Sequence, residues 1–176
     1  MNKRFKSLCI LAVITFLLTA CGTWVVVTQS EEPAGPEPVI YQTLLGKSMS
    51  DTVVAEFINN NCSSVGLYQV CKELGMAFWT DSNKIMRIVY LYSGKADGFK
   101  SYKGELPFGL KFYDTLGAVE YKLNRQGVGN NGLPDEARVP DRIHYWAFYK
   151  QAGVTIIYNA PFPDEDATIY AILVTS

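Results

Sequence analysis

One histidine, His144, is the entire imidazole content of this chain of 176 residues. That scarcity argues against a metal centre, which needs more N and S ligands than the chain offers. It also leaves a serine hydrolase with a single candidate base, and no G-x-S-x-G elbow accompanies it. Basic residues are no more plentiful, with 16 Lys and Arg against 17 Asp and Glu. They are scattered rather than gathered into the patch or stripe that a phosphate backbone requires, so no nucleic-acid partner is expected. Long apolar runs are missing too. The run over residues 8–18 is too short to span a bilayer comfortably.

What the chain does have begins at that run. Lys3, Arg4 and Lys6 precede it, and Leu18-Thr19-Ala20-Cys21 closes it with small residues and a cysteine. The segment resembles a bacterial lipoprotein signal peptide with its lipobox. The resemblance implies diacylglycerol on the Cys21 sulfur, cleavage before Cys21 and acylation, typically palmitate, of the new amino group. Residues 1–20 are then a cleaved leader, and Cys21 is the lipidation site holding the protein to a membrane. Gly22 after the cysteine resembles the sorting pattern for the outer membrane, facing the periplasm, if the cell has two membranes. Loss of the leader leaves 13 basic against 17 acidic side chains, a net charge of −4.

Of four cysteines, Cys9 leaves with the leader and Cys21 is lipidated, so Cys62 and Cys71 remain. Outside the cytoplasm such a pair reads as a disulfide, the alternative being two reduced, buried thiols. Closing so short a loop stabilises the fold by about 2.7 kcal/mol on the chain-entropy argument. Residues 21–43 read as lipidated cysteine plus flexible tether, since Glu31-Glu32-Pro33-Ala34-Gly35-Pro36-Glu37-Pro38 mixes acid, Pro and Gly without an apolar period. Trp24-Val25-Val26-Val27 is read either as an anchor in the membrane interface or as an edge strand.

Residues 44–176 are expected to form a single globular domain made of two repeats, about 44–104 and 105–176. Leu45-Gly46-Lys47-Ser48-Met49-Ser50-Asp51-Thr52 recurs 63 residues later as Phe108-Gly109-Leu110-Lys111-Phe112-Tyr113-Asp114-Thr115. Each copy leads into a helical period, Val53, Val54, Phe57 and Ile58 in the first and Leu116, Val119, Tyr121 and Leu123 in the second, with Asp51 and Asp114 as N-caps. A second helix is predicted over 64–74, stopped by Gly75, with the disulfide linking the two helices. Strands are predicted over 77–80, 85–92, 143–150, 154–159 and 168–174, and residues 125–142 read as a long polar loop. The short connections favour antiparallel pairing. The fold class expected is α+β, tandem helix-plus-antiparallel-sheet repeats with the helices packed on one face of the sheet.

Gly127-Val128-Gly129-Asn130-Asn131-Gly132 spells G-x-G-x-x-G, but a helix precedes it and Leu133-Pro134 follows, so it reads as a loop rather than a dinucleotide fingerprint. Asp164-Glu165-Asp166 reads as a solvated turn rather than a calcium site. His144 falls among aromatics and reads as a packed histidine. Glu105, Asp114, Asp135, Glu136 and Asp141 are the carboxylates that a glycosidase-like pair would draw on. No cofactor is called for.

Tyrosine is abundant, with 11 in the chain, and Tyr90, Tyr92, Tyr145, Tyr149, Tyr158 and Tyr170 fall on predicted strands. Two placements stand side by side: a shared free sheet face that binds protein, or the margin of the core with hydroxyls outward. For the first, the partner-binding residues are Tyr90, Tyr92, Tyr145, Tyr149 and Tyr158. The duplicated Gly and helix start followed by strands resembles the tandem repeat of the β-lactamase-inhibitor-protein fold. Its single-copy relative occurs in the small lipoprotein of the barrel-assembly machinery. The chain lacks that family's second disulfide. Tyr102-Lys103-Gly104-Glu105-Leu106-Pro107-Phe108-Gly109-Leu110 is similar to a segment of toxin-immunity-type proteins. The resemblances imply a non-enzymatic, lipid-anchored envelope protein that binds another protein through its sheet face, as an inhibitor or immunity protein. The alternatives are an outer-membrane assembly scaffold and an envelope hydrolase using paired carboxylates. Lipidation at Cys21 has a direct consequence: Cys21→Ala is expected to leave an unprocessed, unlipidated precursor, read by intact mass and by loss of detergent-phase partitioning.

Overall fold

The computed structural model describes residues 41–96 and 98–176. The leader, Cys21 and the tether up to residue 40 lie outside the described residues. The fold is α+β, with an eight-stranded antiparallel sheet and two α-helices. Helix α1 (Thr52–Asn61) is followed by β1 (Ser63–Val65), β2 (Tyr68–Cys71), β3 (Met76–Thr80) and β4 (Met86–Tyr92). Helix α2 (Leu116–Arg125) is followed by β5 (Glu136–Arg138), β6 (Tyr145–Tyr149), β7 (Val154–Tyr158) and β8 (Ile169–Thr175). The spatial order is β1-β2-β3-β4-β8-β7-β6-β5. The last strand of each run therefore lies at the centre of the sheet.

Alternation along the strands sorts their side chains into two sets, as the pleat demands. Met76, Phe78, Val89, Leu91, Ala147, Tyr149, Val154, Ile156 and Ile172 belong to one buried cluster, which Val54 and Ile58 of α1 and Leu116, Val119 and Leu123 of α2 also enter. Phe57 meets Phe78 edge to face, with ring centroids 6.2 Å apart. Each large aliphatic side chain fully buried here contributes about 1.5–3 kcal/mol. Val53 and Tyr121, expected on the apolar helical stripes, are exposed instead.

Residues 64–74 are not a helix. Ser63↔Val70, Ser64↔Gln69 and Val65↔Tyr68 pair as a hairpin, turned by Gly66 at φ +61°. Gln69 and Cys71 alternate inward while Tyr68 and Val70 alternate outward, a period of two that overrides the helical reading. A 3₁₀ turn (Lys72–Leu74) then ends on left-handed Gly75, where an added Cβ would collide with the backbone of Lys100 and Tyr102. Cys62, the C-cap of α1, is disulfide-bonded to Cys71, with Cα atoms 4.1 Å apart. The bridge thus joins a helix end to β2 rather than two helices. The polar loop over 125–142 likewise contains a strand, β5.

Asp51 caps α1 as expected, its Oδ1 accepting from the amides of Val53 at 3.0 Å and Val54 at 3.4 Å. Asp114 does something else. The cap of α2 is Thr115, without a side-chain bond, and Asp114 is buried. Its Oδ2 accepts from the Lys111 amide at 2.7 Å and from the Lys122 ammonium at 2.6 Å, tying the approach to α2 onto the helix itself. Removing this buried carboxylate leaves the Lys111 amide without its acceptor, while Lys122, a third exposed, keeps water as a partner. Asp114→Ala is therefore expected to cost about 2 kcal/mol and Asp51→Ala about 1 kcal/mol, an ordering that urea unfolding of the two variants checks.

Candidate functional site

The second set of strand side chains faces away from the main cluster, and its layout follows from the register. One row across the sheet runs Val70, Ala77, Tyr90, Leu173, Thr155, Phe148, Glu136. The next runs Tyr92, Ala171, Ile157, Trp146, Arg138. A third carries Tyr68, Trp79, Ile88 and Thr175. Ile157, Ala171 and Leu173 form a small buried floor, against which Ile88, Tyr90, Tyr92, Trp146 and Tyr170 pack. No helical residue is part of this cluster among the described residues.

Two aromatic ladders flank the floor. On one side the rings of Tyr90 and Tyr92 are near parallel at 12° with centroids 6.3 Å apart. Tyr68 lies 6.1 Å from Tyr90, and Phe99 lies 4.1 Å from Tyr92. On the other side Trp146 and Phe148 stand 6.1 Å apart. Tyr90 and Phe148 share a row three strand spacings apart, about 14 Å. His144 lies beside them, its ring 4.3 Å from Tyr170.

The electrostatics are those of a half-desolvated, nearly charge-free surface. Burial, then the neighbouring hydroxyls of Tyr68 and Tyr92, hold the Tyr90 phenol far above its ordinary value. Burial, then Tyr170 and Tyr68, push Tyr92 up to about 12. Both are therefore neutral donors at physiological pH. Charge enters the two central rows only at β5. Glu136 is held by Lys150 at 2.8 Å, and Arg138 lies over the Phe148 ring at 4.5 Å. The hydrogen bond from Lys150 and its charge lower Glu136 and raise Lys150 in return.

Of the five tyrosines expected on a binding face, Tyr90 and Tyr92 lie on this one. The other three do not. Tyr149 and Tyr158 are 1% and 0% exposed in the main cluster, and Tyr145 packs against it, 5.9 Å from Tyr158. Alternation in β6 sends Tyr145 and Tyr149 inward and Trp146 and Phe148 outward. Tyr149 donates to the Gly132 carbonyl at 3.3 Å. Tyr68, Trp79, Phe99, Trp146, Phe148 and Arg138 complete the face and were missing from the expected set. Opposite parity in β6 was visible in the sequence, but not which parity faced the core.

Four of the five candidate carboxylates are taken up by structural tasks. Asp114 is bound to Lys122, Asp135 accepts from the Lys150 amide at 2.7 Å, Glu136 holds the Lys150 ammonium, and Asp141 holds His144. Asp164 spends an oxygen on the Asp166 amide of its own turn. No group of three His, Cys, Asp or Glu capable of holding a metal occurs among the described residues. The glycines of the G-x-G-x-x-G loop have positive φ, and a Cβ would strike the Leu133 carbonyl at Gly129 and the Glu120 carbonyl at Gly132, so these two serve close packing. Gly104 of the Tyr102–Leu110 segment is needed in the same way, because a Cβ there would meet the Tyr102 hydroxyl.

Asp141 shapes the rim at His144. Its Oδ1 accepts from the amides of Ile143 at 2.9 Å and His144 at 2.8 Å, and its Oδ2 meets the His144 Nδ1 at 2.7 Å. Burial raises this carboxyl, but the His144 side-chain bond, the two amide bonds and the His144 charge outweigh it and bring it to about 2. A lowered value means stability present above the unfolded value near 4 and lost as the pH falls through about 2. The group is 41% exposed, so solvent screening keeps the effect small. The expected result is that Asp141→Asn melts below the wild type at about pH 5 and that the gap closes by about pH 2. No protein-family model, no curated protein and no solved structure matches the chain.

Proposed function

We propose that this chain is a lipid-anchored, non-enzymatic cell-envelope protein that binds another protein through the aromatic sheet face, in the manner of an inhibitor or immunity protein. The leader over 1–20, lipidation of Cys21 and the tether set the location; the tether stops short of its expected end at residue 43, because Tyr41–Thr43 is a 3₁₀ helix that buries Tyr41 in the main cluster of the domain presenting the face. One observation carries the binding reading: the helices contribute to the main cluster alone, so the face of Tyr68, Trp79, Tyr90, Tyr92, Trp146 and Phe148 is covered by neither of them. Its composition is that of an interface core, rich in Tyr and Trp and depleted of charge, with Glu136 and Arg138 only at the edge. Tyr and Trp also bring large contact area with few rotors to immobilise.

Tandem duplication accounts for the architecture. Each run has one helix and four strands, and the two runs meet in mirrored order. Each has a 3₁₀ turn before its third strand, Lys72–Leu74 closed by Gly75 at φ +68° and Lys150–Ala152 closed by Gly153 at φ +62°. Each fourth strand carries an extra residue opposite the third, Arg87 in β4 at the Trp79–Thr80 step and Tyr170 in β8 at the Ile157–Tyr158 step. On this reading the helices cover one face together and leave the other for the partner.

The test is capture of the partner from envelope and secreted extracts by the mature, lipidated protein in detergent. Tyr90→Ala with Tyr92→Ala, and separately Trp146→Ala, should each weaken capture about tenfold or more, as hot-spot truncations do. Tyr121→Ala, on the exposed side of α2, should leave it unchanged. Equal capture by all four proteins, with circular dichroism showing them folded, rejects the sheet face as the binding surface.

A further inference from the structure

Resting on the binding role of the aromatic face, the question is what chemistry the partner must carry. The two central rows hold ten uncharged residues and two charged ones. The charged pair sits on β5, whose three residues are all exposed. Glu136 is already neutralised by Lys150. Arg138 is different, since no carboxylate pairs with it among the described residues.

Arg138 is also pre-positioned. Its guanidinium rests over Phe148, which stands against Trp146, and Arg138 is the register partner of Trp146. Stacking on a ring face occupies the flat side of the guanidinium and leaves its in-plane N–H donors pointing outward. Those donors match a carboxylate bidentately, and a side chain already held by an aromatic platform loses less freedom on forming that pair. The surrounding ladder supplies the low-polarity setting in which one ion pair discriminates strongly between partners. We infer that the partner is a protein segment presenting an Asp or Glu carboxylate to Arg138 within an otherwise apolar contact surface, and that this ion pair selects the partner.

Random twelve-residue peptides displayed on phage are panned on the mature protein in detergent, and recovered peptides are synthesised and titrated by calorimetry. The expected consensus contains an acidic residue beside apolar ones. Binding should fall about tenfold or more in Arg138→Gln, less in Arg138→Lys, and also in Trp146→Ala, and it should weaken with added salt. Peptides that lack an acid and bind Arg138→Gln as well as wild type, yet are lost with Trp146→Ala and the Tyr90/Tyr92 double variant, overturn this inference while sparing the binding face. Peptides indifferent to all of these variants, or no recovered peptide, overturn both.

Discussion

Pairing of β4 with β8 joins residues 79 to 87 apart in the chain, and the rest of the molecule depends on its register. Ile88↔Thr175, Tyr90↔Leu173 and Tyr92↔Ala171 lie on one face, while Val89↔Val174 and Leu91↔Ile172 lie on the other. A slip of one residue would turn Tyr90 and Tyr92 into the main core and expose Val89 and Leu91. The register holds because Val89, Leu91 and Ile172 are buried completely in the cluster that side chains of both helices enter. The same pairing brings the two aromatic ladders onto a single sheet. Either four-strand run alone would carry only one of them.

The two runs solve one mechanical problem by different chemistry. In the first, Cys71 ends β2 and is bonded covalently to the end of α1. At the corresponding place before the second 3₁₀ turn, Tyr149 ends β6 and reaches the Gly132 carbonyl in the loop after α2. Each clamps the chain that follows its helix onto the edge half of the sheet. The covalent clamp acts on the unfolded chain as well as the folded one, whereas the hydrogen bond acts in the folded state alone. Deep in the same region the Tyr158 hydroxyl has no hydrogen-bond partner among the described residues, a buried polar cost that the surrounding apolar packing offsets.

Fold class, the antiparallel sheet, the Cys62–Cys71 bridge and the Asp51 cap were legible in the sequence, because each rests on local chemistry. The hairpin at residues 63–71 and strand β5 were not. Both lie at sheet edges, where β1 and β5, three exposed residues each, take their conformation from a neighbouring strand, and the four residues of β2 are too few for their alternation to stand out. Asp114 misled for a related reason: an Asp-Thr step before a helical period looks like a cap, and only the folded chain brings Lys122 to its carboxylate. Tyr90 and Tyr92 lie on the sheet face away from the main cluster, while Tyr145, Tyr149 and Tyr158 proved to be core.

By itself, then, the sequence determined which segments alternate, where two helices begin, and that aromatic side chains would crowd the strands. Those properties depend on neighbours a few residues away. Tertiary structure alone decided which parity of each strand met the helices, and so which aromatics remained outside. That choice depends on contacts between strands distant in the chain, and period-two alternation reads the same from either face.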